Sequence, residues 1–111
     1  MVIEYSAFEA VDMRVGTIVA VEPFPQARKP SFKLTIDFGD EIGTRRSSAQ
    51  ITGLYEADAL VGAQVVAVVN FAAKRIAGFS SEVLVLGAND PQGRVVILRP
   101  ERAVPNGTRI Y

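Results

Sequence analysis

Phe32, Leu34, Ile36 and Phe38 alternate with Lys33, Thr35 and Asp37. A period of two places the apolar row on one strand face and the polar row on the other, so this segment predicts a strand with one buried side. Gly39-Asp40-Glu41 then reads as a turn, with Asp37, Asp40 and Glu41 as a solvated tip. Gly43 to Ile51 reads as a further strand, but a polar one (Thr44, Arg45, Arg46, Ser47, Ser48, Gln50). Core burial contributes little to such a strand, so it predicts an exposed functional face. Before them, Met13 to Val21 predicts a strand with Val15, Thr17, Val19 and Val21 on one side and Gly16 as a bend or bulge.

The rest of the chain fits around these strands. Ser6 and Glu9 suit a capping box, predicting a short opening helix. The loop from Pro23 to Pro30 carries three prolines and should be stiff. Leu54 to Leu60 predicts a short helical turn, and Val65 to Phe71, apolar on both faces, a central strand. Val83 to Leu86 and Val95 to Leu98 predict two more strands, joined by a hairpin-type loop at Asn89 to Gly93. Three strands, a short helix and two strands is the order of an OB-fold, a five-stranded Greek-key barrel, with the opening helix and the last strand lying outside it. The fold class expected is therefore all-β with small helices. Residues 1–111 form one domain, with N- and C-terminal extensions as an oligomer interface.

What the chain lacks narrows its chemistry. It has no His, Cys or Trp. That removes imidazole bases, Ser–His triads, thiol nucleophiles, disulfides and Cys/His zinc sites. No carboxylate pair at glycosidase spacing and no phosphate-loop glycine pattern is found. The expectation is a non-enzyme with no catalytic residues, no cofactor and no metal. No basic leader precedes an apolar run, and the longest apolar stretch, Ala63 to Ala73, falls short of the roughly 20 residues of a membrane span. A cytoplasmic protein without membrane insertion is expected.

Twelve cations balance twelve anions. Residues 1–27 hold one basic and four acidic groups, whereas residues 28–75 hold seven and five. Three basic pairs fall in this middle part: Arg28-Lys29 in the loop after the first strand, Arg45-Arg46 on the third, and Lys74-Arg75 in the loop after the fourth. An OB-fold binds ligands across strands two and three, between those two loops, so all three pairs map onto one groove. Phe24, Phe71 and Phe79 are candidates for flat apolar surface beside it; Phe32 and Phe38 are expected in the core. The footprint is weak for a dedicated nucleic-acid domain.

Asp12-Met13-Arg14-Val15-Gly16-Thr17-Ile18 and Val69-Asn70-Phe71-Ala72-Ala73-Lys74-Arg75-Ile76 resemble the first strand and the basic loop of stand-alone tRNA-binding domains. Within that superfamily the chain resembles the CsaA family of export-related chaperones. The likeness covers nearly the whole chain, through Arg28-Lys29-Pro30, Lys33 to Gly39, Ser47 to Thr52, Ile76 to Phe79, Ser81 to Gly87 and Val104 to Gly107. The resemblance implies a homodimer that binds unfolded polypeptides or preproteins without ATP, in association with the Sec export motor. Arg28, Phe71, Lys74, Arg75 and Phe79 are then the peptide contacts. The alternative it carries is tRNA binding through Arg28, Lys29, Arg45, Arg46, Asn70, Lys74, Arg75 and Ser81. Ala77 stands where tRNA-binding domains usually have a basic residue. Glu82-Val83-Leu84 replaces their polar-Gly-Met sequence. A carboxylate at a phosphate-facing loop repels the backbone and tilts the reading toward polypeptide.

Overall fold

The computed structural model describes residues 1–111. Its centre is an antiparallel sheet in the order β3-β2-β1-β4-β7. Its strands are β1 (Met13–Pro23), β2 (Phe32–Asp37), β3 (Thr44–Ala49), β4 (Gln64–Val68) and β7 (Leu84–Val85). Two hairpins complete it: β5 (Lys74–Ile76) with β6 (Phe79–Ser81), and β8 (Gly87–Asn89) with β9 (Val95–Ile97). Three short helices, α1 (Tyr5–Glu9), α2 (Gly39–Ile42) and α3 (Ala57–Leu60), link or flank the strands. The sheet curls into a nearly closed five-stranded barrel, as the OB-fold order requires. No helix is long and apolar enough to cross a membrane.

The alternation in β2 sets the core. Leu34, Ile36 and Phe38 are fully buried, together with Ile18, Leu60 and Val65. β4 is buried on both faces: Val65 and Ala67 join the core cluster, while Val66, opposite Val15, is buried on the other side.

β1 differs from the sequence expectation in its faces. The pairing with β2 shifts between Ile18 and Ala20, so a bulge at Val19 breaks the period. Val15 is buried away from the core cluster, Val19 is exposed, and Val21 packs against the core. Gly16 is not the bulge. It lies where a Cβ would stand 2.6 Å from Ile36 Cγ2 and 2.7 Å from Phe38 Cδ1. The glycine is there because two core side chains occupy its side-chain space.

The termini are tied to β1. The backbone of residues 107–110 runs antiparallel to it, with Val15 N–H donating to the Thr108 carbonyl and Gly107 N–H to that of Val15. Gln64 grips Val104 through both ends of its amide, and Thr17 Oγ1 donates to Asn106 Oδ1. Arg14 bonds Asp12 at 2.6 Å and the Gly107 carbonyl at 3.0 Å. That Arg14 hydrogen bond holds the Asp12 carboxyl below the usual carboxylate range. The capping box is absent: α1 begins at Tyr5 behind Glu4, without a side-chain cap, and Ser6 lies inside the helix.

Gly16→Ala should lower stability by about 1–3 kcal/mol, because the new methyl overpacks the core against Ile36 and Phe38. Urea denaturation checks this; an unchanged or raised midpoint would contradict the packing described.

Candidate functional site

The barrel closes between β3 and the end of β6 with the residues that follow it, and it does so with one backbone bond and several side-chain bonds. Glu82 N–H donates to the Arg46 carbonyl at 2.8 Å, and Glu82 Oε1 accepts from Arg46 N–H at 2.9 Å. Ser81 Oγ accepts from Ser48 N–H, and the buried Ser47 hydroxyl donates to the Val83 carbonyl. The polar character of β3 is thus partly structural. Ser47 and Ala49 face the interior, and the serine hydroxyls stand in for a backbone ladder. Glu82, expected as a repulsive group toward phosphate, has one carboxylate oxygen committed to this closure.

Lys74 and Arg75 stand on β5 rather than in a loop. Ala77 (φ 46°) and Gly78 (φ 83°) form a tight two-residue turn, both with positive φ. An alanine in the left-handed region costs roughly 1–2 kcal/mol, so packing must hold the hairpin in place. Phe79 supplies it. Its ring meets Phe24 edge-on at 5.4 Å, and only 7% of Phe79 and 4% of Phe24 remain exposed. Lys33 Nζ lies 4.8 Å from the Phe24 centroid, and the Arg46 guanidinium 4.7 Å from that of Phe79. Phe24 and Phe79 therefore anchor the hairpin instead of offering open apolar surface. Phe71, at 56% exposure, remains the aromatic in the open.

The hairpin stands beside β3 and shapes two adjoining concavities. One, of about 680 Å³, is mainly apolar: Phe71, Leu84, Val83, Val85, Val95 and Ile51 line it, with Lys74 and Glu82 as its charges. The other, of about 730 Å³, holds Arg28, Lys29, Lys74 and Arg75, and no carboxylate lines it. Ser48, Gln50, Lys74 and Ile76 belong to both, so the two are halves of one groove.

Two of the three basic pairs meet there and the third does not. Arg46 forms an ion pair with Glu22 at 2.7 Å and covers Phe79. Arg45 alternates to the opposite face of β3. Asn70 is also occupied: its Oδ1 accepts from Asp12 N–H and its Nδ2 donates to the Ala10 carbonyl. It clasps the N-terminal segment against the end of β4. Ser81 lines the apolar half while bonding Ser48. Sequence reasoning missed Gln50, which lines both halves, and Leu84, half-exposed in the apolar one. The alternation of β3 carried the signal for Gln50, because it continues the outward parity of Arg46 and Ser48.

The family profile described as "Putative tRNA binding domain" matches residues 13–109. The crystal structure of the chaperone CsaA from Bacillus anthracis superposes over the whole of both chains, with a TM-score of 0.94 and 50% identity. The chain belongs to the tRNA-binding-domain family, in its CsaA branch. The CsaA chaperone protein of Picrophilus torridus is 49% identical, with a TM-score of 0.92 over 99% of this chain and all of that one. The methionine–tRNA ligase of Methanocaldococcus jannaschii is 33% identical over 97% of this chain. The chain spans only 16% of that ligase's length. The similarity thus runs to a tRNA-binding domain and to chaperone folds, the ligase being matched only over a fragment.

Asn70→Ala should cost about 1 kcal/mol of stability and speed proteolysis near residues 4–12, since two hydrogen bonds to that segment are lost. A variant as stable and protease-resistant as the parent would show that Asn70 is free for another role.

Proposed function

We propose that this protein is an ATP-independent chaperone of the CsaA type, which binds unfolded or export-bound polypeptides in the groove and acts as a cytoplasmic homodimer. The observation that carries this reading is the apolar half-groove, where Phe71 and Leu84 stand 56% and 50% exposed beside the barrel opening. Apolar side chains held open to water favour a partner that covers them. Lys74, Arg75 and Arg28 add charge beside that surface. Phe79 contributes from beneath, by fixing the hairpin that bears Lys74 and Arg75. The exposed apolar termini, Val2, Ile3, Tyr5 and Tyr111, suit burial between two copies. The likeness to CsaA chaperones over the full chain supports the same reading. The Sec export motor is proposed as a partner on the family resemblance of the sequence alone.

The basic half-groove favours a second reading, tRNA binding. Arg28, Lys29, Lys74 and Arg75 surround a cavity without a carboxylate, and the family profile is that of a tRNA-binding domain. Phosphate contacts of this kind weaken steeply with salt.

The two readings separate on two variants. Phe71→Ser removes exposed apolar surface and should weaken binding of a denatured client by about tenfold, with tRNA binding little changed. Lys74→Ala with Arg75→Ala should abolish tRNA binding and lower client binding only a few-fold. Titration of both ligands at several salt concentrations checks this. Protein that neither binds an unfolded peptide nor slows client aggregation would sink the chaperone reading.

A further inference from the structure

The outer edge of β3 is only partly used. Phe38 N–H donates to the Gly43 carbonyl, which makes that pair a bonded one at the β2–β3 turn. Bonded pairs alternate along an antiparallel ladder, so Arg45, Ser47 and Ala49 point their backbone groups toward β2. Arg46 and Ser48 point theirs outward, and Gln50 follows directly on Ala49, the last residue of β3. Glu82 takes both groups of Arg46. Ser81 takes the N–H of Ser48, whose carbonyl has only the neighbouring Ser47 hydroxyl near it at 3.2 Å, and the single proton of that hydroxyl goes to the closer Val83 carbonyl at 3.0 Å. The N–H and C=O of Gln50 make no hydrogen bond within the chain. Where the closure stops, the chain leaves β3 through Gln50 with both backbone groups unpaired, and this end of the strand lines the groove.

We infer that polypeptide binds here by strand addition to the Ser48–Gln50 edge, and that the preferred segment is extended, alternately apolar, and flanked by acidic residues. The inference rests on the polypeptide reading of the groove. An added strand satisfies the outward backbone groups of Gln50 whatever its side chains, which suits a site serving many sequences. Its alternate side chains would turn into the apolar half, toward Ile51, Val83 and Leu84. Its flank would reach the basic half, where Arg28, Lys29, Lys74 and Arg75 meet no carboxylate. Charge complementarity thus selects acidic over basic flanks. Glu82, at the apolar half, repels a negative charge there and restricts acids to the flanks.

Backbone recognition has a signature that side-chain recognition lacks. A labelled peptide of about ten residues, alternating valine and threonine with aspartates at both ends, is titrated by fluorescence anisotropy against the full chain. Two derivatives carry N-methyl groups on alternate amides, one in each register. Methylation in the register facing β3 should lower affinity about tenfold, and in the other less than about twofold. Replacing the aspartates by lysines should cost about tenfold at low salt, and the difference should vanish near 1 M salt. Gln50→Pro should weaken binding more than Gln50→Ala, since only the former removes the N–H. If Gln50→Pro does not fold, the peptide series still decides. Equal affinity for both methylated registers overturns strand addition while leaving the polypeptide reading standing. Lysine flanks that bind as well as aspartate overturn the charge preference. No binding of any peptide, with tRNA retained, overturns the polypeptide reading and this inference with it.

Discussion

Everything at the groove depends on how the barrel closes at β3. A continuous backbone ladder between β3 and the segment after β6 would have sealed the edge. Instead four polar bonds from Ser47, Ser81 and Glu82 close it at Arg46 to Ser48 and then stop. The buried Ser47 hydroxyl illustrates the trade. A polar group of that kind is tolerated in a core only when bonded, and the Val83 carbonyl bonds it. Past Ser48 the strand edge is left open, and both concavities lie against it.

Two further devices hold the groove's walls. The Phe24–Phe79 pair, capped by Lys33 and Arg46, fixes the β5–β6 hairpin and so places Lys74 and Arg75. The terminal clasp of Asp12, Arg14, Asn70 and Arg109 fixes the chain on either side of β4, just before Phe71 emerges. Neutral overall charge and a locally basic groove are then compatible. The anions are spent elsewhere: Asp12 on Arg14, Glu22 on Arg46, and Asp90 on Arg94.

Much of the fold was legible because it follows from periodicity. The alternation from Phe32 to Phe38 gave β2 and its core face, and the double-sided run after Gln64 gave β4. Of the final hairpin the turn and the second strand were legible, but its first strand is Gly87–Asn89, while the segment Val83–Leu86 holds β7 of the main sheet. The β5–β6 hairpin was not legible, since Ala77-Gly78 lacks the Asn-Gly or Asp-Gly signature of such turns and tertiary packing imposes it. In the site, the pairs Arg28-Lys29 and Lys74-Arg75 line one concavity as expected, although Lys74 and Arg75 stand on a strand and not in a loop. Arg45-Arg46 was separable in part, because a strand sends neighbours to opposite faces; that Glu22 and Phe79 engage Arg46 is a tertiary fact the sequence does not show. Asn70 was read as a ligand contact because a sequence does not reveal that Ala10 and Asp12 already occupy both ends of its amide.

The central claim is that an open strand edge beside an apolar surface makes this groove a polypeptide site. Residue-resolved amide hydrogen exchange, with and without an unfolded client, tests it most directly. The account predicts that the Gln50 amide, which has no partner in the free protein, exchanges fast alone and becomes strongly protected when client is bound. Protection spread elsewhere, with Gln50 still exchanging freely in the complex, would contradict it.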